Sequence, residues 1–372
     1  MKNIIRNTCI MCNGRIRDIY TLKNFPIYMG VSYKNSEDLY SDKIFSVCSD
    51  CDCVQIKNLI PLDLLYGKSH NAAIGKTWDK HHLEFCKFTK EYVNGNVLEI
   101  GGGNLKVANN LSNSDRVETI TVFDKNFVAD KKSKKIILKN DFFDQSKIEI
   151  IPDVIIHTHL IEHLYNPLED IKKISEALKE GGYMMFAAPI IDKMLKHNFT
   201  NAMNFEHTYM LSEDMIQNIM SYSNLEIISI KPFSEYINFY IVKKTNNQYI
   251  IKHDYSGQAN IINKFCYFYE SEVERIKNQL DSIKENNFIF GAHIFTQYLL
   301  SFGLDQGMFK NVLDNDPNKQ NNRLYGTSLL VNSPQILKDI KNPVVILKAA
   351  MYTEEIKNDI INNINPKTRF IL

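Results

Sequence analysis

Four cysteines near the start of the chain have the spacing of metal ligands. Cys9 and Cys12 form one C-x-x-C pair, and Cys48 and Cys51 form a second. Two such pairs supply the four thiolates of a tetrahedral, structural Zn²⁺ site, which leaves no coordination position open for a substrate. The sequence therefore predicts a zinc-binding module. The other three cysteines are predicted to be small, buried apolar side chains: Cys53, Cys86 and Cys266.

A run of glycines follows a predicted strand in the middle of the chain. The segment Val97–Ile100 is apolar apart from Glu99, and glycines from Gly101 to Gly103 separate it from a helical pattern. Glycines permit a tight turn and the close approach of a ligand, here at the carboxyl edge of the first strand of an open sheet. The dinucleotide fingerprint G-x-G-x-x-G would need a glycine where Lys106 stands, which weakens an interpretation as an NAD or FAD site.

Acidic residues close the next two predicted strands. Asp124 ends the second strand in the sequence VFDKN, and Asp141 ends the third strand region in KNDFFD. One carboxylate can accept hydrogen bonds from both hydroxyls of a ribose, so Asp124 is a candidate ribose ligand. Asp141 could meet the amino group of an adenine.

The elements that position these residues alternate between strands and helices. Short apolar runs, separated by amphipathic helical patterns, stand at 96–100, 119–124, 153–160, 182–189 and 225–233. This alternation predicts an α/β fold with a parallel sheet and helices on both faces. A polar linker and a long solvated helix are expected over 246–285, and a second, smaller α/β unit follows.

The glycine turn and the acidic residues resemble the class I S-adenosylmethionine-dependent methyltransferases, whose first motif is a strand followed by E/D-x-G-x-G. The segment from Glu99 to Gly103 matches that motif. The resemblance implies a Rossmann-like methyltransferase domain in which Gly101 and Gly103 lie beside the methionine part of the cofactor. It also implies the full set of cofactor-binding residues: Glu99, Gly101, Gly103, Asp124, Asp141 and Phe142, the last stacking on the base.

The order of the parts resembles the zinc-containing sugar C-methyltransferases of deoxysugar pathways. Their C-terminal unit carries G-A-x-x-x-T, matched by Gly291 to Thr296, and an Asp and Lys pattern, matched by Asp314 or Asp316 with Lys319. The domains expected from this resemblance are a zinc-binding module at 1–60, a helical connector at 61–90, a methyltransferase domain at 91–245 and a C-terminal α/β domain at 246–372.

That resemblance singles out histidines as catalytic candidates. The family carries a Glu-His pair after the fifth strand, with the His as base at the sugar; Glu206 and His207 match it, and His159 and His163, after the fourth strand, stand in reserve. A neutral imidazole suits proton removal near neutral pH, while most of the rate should come from holding nucleophile and methyl in line. Alternatively, Glu206 pairs locally and His207 packs on Tyr209.

Methyl transfer to a nucleotide-linked sugar is therefore the expected reaction, with C-methylation next to a keto group ahead of O-methylation of a hydroxyl. The connector favours O-methylation, because residues from His70 to Trp78 lack the tyrosine and serines of the family. An NAD-dependent sugar oxidoreductase is a further alternative. It would also use a glycine turn and a ribose carboxylate, but its third glycine is missing.

Composition excludes some partners. The 372 residues carry a formal net charge of +1, which argues against nucleic acid or anionic lipid as the main partner. No stretch approaches the roughly 18 uninterrupted apolar residues of a membrane span, and the start of the sequence has no apolar signal segment. We expect a cytoplasmic enzyme that uses S-adenosylmethionine and a structural Zn²⁺; the sequence leaves its oligomeric state open.

Overall fold

The computed structural model describes residues 4–32, 38–66, 76–127, 132–247, 252–281, 286–348 and 353–372. The density of contacts divides the chain into two compact units. Unit 1 comprises Met1–Arg17, Ser46–His197 and Glu206–Ala259, and unit 2 comprises Asp18–Phe45, Asn198–Phe205 and Asn260–Leu372. The connector residues from His70 to Gly75, discussed above, lie outside the described residues.

The strands, in chain order, are β1 (Ile4–Ile5), β2 (Ile16–Pro26), β3 (Val31–Ser32), β4 (Tyr40–Cys48), β5 (Val54–Ile56), β6 (Asn58–Leu59), β7 (Gly95–Ile100), β8 (Val117–Phe123), β9 (Ile136–Lys139), β10 (Val154–Thr158), β11 (Tyr183–Pro189), β12 (Leu225–Ser234), β13 (Ile237–Lys244), β14 (Asn287–Phe290), β15 (Asn311–Leu313), β16 (Arg323–Leu324), β17 (Val331–Asn332), β18 (Val344–Ile346) and β19 (Arg369–Ile371). The α-helices are α1 (Leu62–Leu65), α2 (Lys76–Thr89), α3 (Lys106–Leu111), α4 (Pro167–Glu176), α5 (Ile191–Lys196), α6 (Glu213–Tyr222), α7 (Gln258–Leu280), α8 (Ile294–Ser301) and α9 (Thr353–Asp359).

Unit 1 is built on a seven-stranded sheet in the order β12-β13-β11-β10-β7-β8-β9. The five strands from β11 to β9 in this order are parallel, and β13 and β12 add an antiparallel pair at one edge. The order reverses between β7 and β10, because β7 pairs with β8 on one side and with β10 on the other. In open α/β sheets, ligands bind outside the carboxyl ends of the strands at such a reversal.

The five predicted apolar runs form β7, β8, β10, β11 and β12 of this sheet, and β13 was not predicted. The expectation of a parallel sheet is wrong at the edge formed by β12, which pairs antiparallel with β13. The central strand β10 shows why the apolar runs were informative: Val154, Ile155 and Ile156 are all fully buried, as expected for a parallel strand covered on both faces. The α4 helix begins after Asn166, with Pro167 at its first position, where a missing N–H costs nothing.

Unit 2 contains a five-stranded parallel sheet in the order β17-β15-β14-β18-β19. Its core includes Phe288, Leu313 and Val345, one from each of three adjacent strands. The prediction of a second, smaller α/β unit is confirmed. Its order also reverses, between β14 and β18, and the carboxyl ends of strands at such a reversal are where open α/β sheets bind ligands.

The linear domain boundaries of the sequence analysis differ from the two compact units. The division is not linear because β2 and β4 each begin in one unit and end in the other. A segment of the predicted zinc module therefore packs with the C-terminal residues, which no local pattern in the sequence indicates.

The long helix α7 is not the solvated helix that the sequence predicted. It begins at Gln258 and buries one apolar stripe. The buried side chains recur every three or four residues: Ile262, Phe265, Cys266, Tyr269, Val273, Ile276 and Leu280. This spacing is that of a core-facing helix side, and the charged residues between these positions concealed it. None of the described helices combines the length and apolarity needed to cross a membrane.

Candidate functional site

The four predicted zinc ligands converge. The sulfur of Cys12 lies 3.5 Å from that of Cys48 and 3.4 Å from that of Cys51, and the sulfurs of Cys9 and Cys51 lie 3.6 Å apart. All four lie within 4.8 Å of one another. A tetrahedral Zn²⁺ with Zn–S bonds of about 2.3 Å has sulfur–sulfur edges of about 3.8 Å, so the cluster fits this ion.

Both C-x-x-C pairs form the same turn. The N–H of Asn13 donates to the carbonyl of Cys9 at 3.0 Å, and the N–H of Asp52 donates to that of Cys48 at 3.1 Å. Asn13 and Asp52 occupy equivalent positions and share a left-handed backbone, with φ of 58° and 63°. Asn and Asp tolerate this conformation better than other non-glycine residues.

The thiols are mostly shielded from solvent. Cys9, Cys48 and Cys51 are buried and Cys12 is half-buried. Hydrogen bonds from the thiols of Cys51 and Cys53 lower the pKa of Cys9 well below its usual value. The prediction that Cys53, Cys86 and Cys266 are buried is confirmed.

The glycine turn after β7 is shaped by two carboxylates. Gly101 has a φ of +79°, which L side chains rarely adopt, and a Cβ on Gly103 would stand 2.5 Å from the carbonyl oxygen of Asn126. The N–H of Gly103 donates to Asp124 Oδ2 at 2.8 Å, so the turn after β7 is bound to the end of β8. Leu105, which begins the next helix, also has a positive φ, of 54°.

Glu99 lies beneath this turn and is almost fully buried. Burial raises its pKa to about 8; a hydrogen bond from the backbone of Ala108 opposes this rise, and the nearby charge of Asp124 adds to it. A Cβ on Gly102 would stand 2.4 Å from the Glu99 carboxyl carbon, so the close packing of this side chain accounts for a second glycine.

Asp124 stands at the predicted ribose position. Its two oxygens accept from the N–H groups of Gly103, at 2.8 Å, and Asn126, at 2.7 Å. These two bonds fix the plane of the carboxylate. Each carboxylate oxygen can accept a second hydrogen bond, so the pair of hydroxyls of a ribose can still be bound.

Asp141 and Phe142, the two residues assigned to the adenine, both lie at the protein surface. Asp141 is paired with Lys147 and, at 3.6 Å, with Lys125. The hydrogen bond from Lys147 is the largest influence lowering the pKa of Asp141. Phe142 is exposed, and its ring meets that of Tyr66 edge-on with centroids 6.4 Å apart. The adenine contacts of both residues stay predictions.

His159 follows β10, beside the reversal of strand order. Its φ of 56° is unusual for a residue with a side chain. His159 Nδ1 donates to Glu162 Oε1 at 2.9 Å, and its Nε2 lies 3.3 Å from Nε2 of the buried His81. Trp78 packs edge-on against both histidine rings. The strained backbone thus presents an imidazole whose orientation is set by a buried carboxylate.

Glu162 also lies beside the other two candidate histidines. An oxygen of Glu162 and one ring nitrogen each of His163 and His207 lie within 4.8 Å of one another. The His163 and His207 rings meet edge-on at 4.7 Å, and the hydroxyl of Tyr66 lies 2.9 Å from His163 Nδ1. Three of the four predicted catalytic residues, His159, His163 and His207, are therefore brought around one carboxylate.

Glu206, the fourth, lies near Tyr66. The pKa of the Tyr66 hydroxyl lies well above its usual value, mainly because the hydroxyl is buried; the nearby charge of Glu206 raises this pKa further. The pKa of Glu162 is raised by burial, but the hydrogen bond from His159 and the neighbouring histidines outweigh this and hold it at about 2. Burial lowers the pKa of His163 to about 4. At neutral pH the site thus combines an ionised carboxylate with a neutral imidazole.

The segment that carries His207 is held by the N-terminal part of unit 1. Strand β5, which follows Cys53, is hydrogen-bonded to this segment through the backbone. The N–H of Ile56 donates to the carbonyl of Thr208 at 2.8 Å, and the N–H of Met210 donates to the carbonyl of Val54 at 2.9 Å. The buried Arg6 donates to Thr208 O at 2.9 Å and to Tyr165 O at 2.7 Å. The cysteine cluster, β5 and the His207 segment are therefore one connected assembly.

Several of these residues were not predicted from the sequence. Glu162 stands in the motif that supplied His159 and His163, so its spacing could have identified it. Tyr66, His81 and Arg6 carry no local signal, because their contacts join distant parts of the chain.

Unit 2 has a turn like that of unit 1 at the end of β14. Gly291 has a φ of +105°, and the N–H of Ala292 donates to Asp314 Oδ2 at 2.9 Å. Asp314 Oδ1 accepts from Asp316 N at 2.9 Å, and Lys319 Nζ lies 3.2 Å from Asp314 Oδ2. The arrangement repeats that of Gly103, Asp124 and Asn126, with an added cation.

One comparison with known proteins matches the part of the chain that contains the glycine turn after β7. Residues 77–230 match a family model described as a methyltransferase domain. A search of curated proteins finds no match. The matched residues include the glycine turn, Asp124 and the histidine cluster. Residues 77–230 thus form a methyltransferase domain with a Rossmann-like and mostly parallel sheet, and this domain identifies the protein as a methyltransferase enzyme.

Several solved structures are similar to a little under half of the chain. The N-methyltransferase NodS of Bradyrhizobium japonicum WM9 is 13% identical, with a TM-score of 0.34, covering 46% of this chain and 97% of its own. A SAM-dependent methyltransferase of Aquifex aeolicus is 14% identical, with a TM-score of 0.33, covering 44% and 90%. One from Mesorhizobium loti is 9% identical, with a TM-score of 0.35, covering 45% and 98%. These weak likenesses carry no information about the substrate.

Proposed function

We propose that the chain transfers the methyl group of S-adenosylmethionine to a nucleotide-linked sugar, at the carbon next to a keto group. The observation that carries this proposal is the position of the histidine cluster at the end of β10. This strand lies beside β7, whose glycine turn would bind the cofactor. Methyl donor and proton acceptor would then meet where the strand order reverses.

The first part of the proposal is that S-adenosylmethionine binds at the turn between β7 and α3. Gly101, beside which a Cβ would meet nothing within 4 Å, leaves backbone open to the methionine part, Gly103 lets the turn approach the end of β8, and Asp124 would bind the ribose. Attack on a sulfonium methyl removes a positive charge, so the site need not stabilise a large new charge. The main contribution of the protein would be to align the nucleophile with the methyl group.

The second part of the proposal is that the protein removes a proton from the acceptor. His159 is supported as the base because Glu162 fixes its ring through Nδ1 and would stabilise the imidazolium that forms. The 3.3 Å contact to His81 is long for a hydrogen bond, so an acceptor could displace it. His207, the base predicted from the sequence with Glu206 beside it, remains the alternative.

The third part of the proposal, a sugar as the substrate, rests on the order of the modules along the chain. A four-cysteine module that fits a structural Zn²⁺, a methyltransferase domain and a second α/β sheet follow one another as in the sugar C-methyltransferases that the sequence resembles. The turn at Gly291, with Asp314 and Lys319, offers backbone N–H groups and a cation of the kind that suit a phosphate-bearing ligand. We place the reaction in the cytoplasm, where thiols stay reduced.

Isotope exchange tests the proposal. The protein is incubated in D₂O with S-adenosylhomocysteine and nucleotide-linked keto sugars, and the proton next to the ketone is followed by NMR. C-methylation predicts enzyme-dependent exchange at that carbon, and methyl-labelled S-adenosylmethionine should then place its label there. Label on a hydroxyl oxygen without exchange would show O-methylation, and no transfer to any nucleotide sugar would refute the proposed substrate class.

Two variants assign the base. His159→Ala and His207→Ala are compared with His197→Ala, which removes an exposed histidine outside the cluster. The proposal expects exchange to fall at least about 100-fold in His159→Ala and to be unchanged in His197→Ala. A larger loss in His207→Ala than in His159→Ala would transfer the role of base to His207.

A further inference from the structure

We propose that Glu162, His163 and His207 bind a divalent transition-metal ion, at a site distinct from the four-cysteine cluster. One donor atom of each residue lies within 4.8 Å of the other two, with Glu162 buried and both histidines half-buried. Two imidazoles and one carboxylate form a ligand set that holds a metal on one side and leaves further positions open.

The carboxylate of Glu162 gives an independent indication. Its Oε1 accepts a hydrogen bond from His159 Nδ1 at 2.9 Å. Its Oε2 is buried and has no hydrogen-bond partner among the described residues, although the Glu162 side chain is only 1% exposed. An anionic oxygen buried without a partner is costly, and a cation placed between Glu162 and the two histidines would satisfy it.

The surroundings of His163 are those expected around a metal ligand. Metal-binding histidines usually hydrogen-bond through the ring nitrogen that does not hold the metal, which fixes the tautomer and the ring orientation. Nδ1 of His163 lies 2.9 Å from the hydroxyl of Tyr66, which leaves Nε2 for the metal. The sequence alone indicates no role for Tyr66; this contact gives it the role of orienting the His163 ring.

The two chain segments that carry the ligands are fixed to each other. The hydroxyl of Tyr209 donates to the carbonyl of Ile161, next to Glu162. Arg6 bonds to Thr208 O and Tyr165 O, two residues that flank the ligands in sequence. The ligand set is therefore positioned by buried hydrogen bonds, as a preorganised metal site requires.

The donor atoms select the class of ion. Imidazole nitrogens with one carboxylate favour Zn²⁺, Fe²⁺ or Co²⁺ over Mg²⁺ and Ca²⁺, which prefer oxygen ligands. If the proposed function holds, an open position would face the acceptor, and the metal would polarise its carbonyl oxygen. His207 would then be a ligand, which leaves His159 as the base.

Co²⁺ distinguishes the two metal sites in the full-length protein. A thiolate-bound Co²⁺ shows intense sulfur-to-metal charge-transfer absorption, whereas Co²⁺ bound by histidine and carboxylate shows only weak d–d bands. The protein is depleted of metal under reducing conditions and titrated with Co²⁺, without cofactor or acceptor. We expect one equivalent of each type in the wild-type chain.

Four variants locate the second equivalent. Glu162→Gln and His207→Ala should abolish the Co²⁺ without thiolate ligands, and His197→Ala should retain it. Tyr66→Phe should weaken it by about 10–100-fold, because it removes only the supporting hydrogen bond. Circular dichroism of each variant identifies any that fail to fold, and the conservative Glu162→Gln and Tyr66→Phe keep the test informative if His207→Ala does.

Absence of a non-thiolate Co²⁺ site in the wild-type protein would overturn the inference. So would its persistence in both folded Glu162→Gln and folded His207→Ala. Neither result bears on methyl transfer, because the titration contains no cofactor. Conversely, loss of the proposed sugar methylation would leave a measured metal site in place, so the two proposals fail separately.

Discussion

Arg6 Nη1 donates a hydrogen bond to the carbonyl oxygen of Thr208 at 2.9 Å, which joins the first described residues of the chain to the residue after His207. The same guanidinium binds Tyr165 O and Ile56 O. Burial lowers the pKa of Arg6 to about 10, so the side chain stays charged at neutral pH. The charged donor thus fixes three backbone carbonyls around the candidate site.

Removal of Arg6 should affect the acceptor side of the reaction and spare the cofactor side. In Arg6→Leu the carbonyls of Thr208 and Tyr165 lose a charged donor, and we expect the free energy of unfolding to fall by about 2 kcal/mol or more. The KM for the acceptor should rise or kcat fall at least about tenfold, while the Kd for S-adenosylmethionine stays within about twofold. Arg116→Leu, at an exposed arginine, serves as the control. A large change in cofactor affinity in folded Arg6→Leu would contradict this account.

Loss of one sulfur ligand should, like loss of Arg6, impair the acceptor side of the reaction and spare cofactor binding. Cys12→Ser removes a ligand of the four-thiolate cluster, whose second turn leads into β5 and from there to Thr208. We expect lost zinc, increased protease sensitivity of the N-terminal residues and at least about tenfold lower kcat/KM for the acceptor. Cofactor affinity, measured by calorimetry, should be retained. Cys266→Ser removes a buried cysteine outside the cluster and should keep its zinc.

A methyl group at Gly103 should disrupt the cofactor turn. The added Cβ would stand 2.5 Å from the backbone oxygen of Asn126, an atom that cannot move away independently. Gly103→Ala should lower the free energy of unfolding by about 1–3 kcal/mol and abolish measurable binding of S-adenosylmethionine. Gly307→Ala, whose Cβ would meet nothing closer than 3.4 Å, should leave both quantities unchanged. Normal cofactor affinity in Gly103→Ala would place the cofactor elsewhere.

Glu99 should make stability depend on pH. Its pKa rises from an unfolded value of 4.5 to about 8 in the folded protein, so the folded state holds a proton that the unfolded state releases between these values. The stabilisation linked to this proton is fully present below about pH 4.5 and is lost as the pH rises to about 8.

Glu99→Gln isolates this effect, because an amide does not titrate. Denaturant unfolding at several pH values should show that the free energy of unfolding of Glu99→Gln rises relative to that of the wild type from pH 4.5 to about 8 and then levels off. The same substitution at exposed Glu118 should show no such trend. A difference that is constant with pH would mean that Glu99 is ionised throughout.

The parts that could be predicted from the sequence are those with local signals. Five of the seven strands of the main sheet of unit 1 stood out as apolar runs. The turn of Gly101 to Gly103 was recognisable because a strand, an acidic residue and glycines are adjacent in sequence. The two C-x-x-C pairs were predictable for the same reason. Their ligands converge as their spacing indicates.

The parts that could not be predicted depend on contacts between distant residues. Arg6 and Thr208 are 202 positions apart, and Tyr66 and His163 are 97 apart. The strand β13 escaped notice because its residues continue the apolar character of β12 with little to separate them. The mixed membership of β2 and β4 in two units arises only when the chain folds back on itself.

The central claim is that the turn between β7 and α3 binds S-adenosylmethionine. Calorimetric titration of the full-length protein with S-adenosylmethionine and, separately, with NAD tests it most directly. We predict micromolar binding of S-adenosylmethionine, weakened about 10–100-fold in Asp124→Ala by loss of the ribose hydrogen bonds, and no binding of NAD. Clear binding of NAD with none of S-adenosylmethionine would contradict the account and indicate an oxidoreductase.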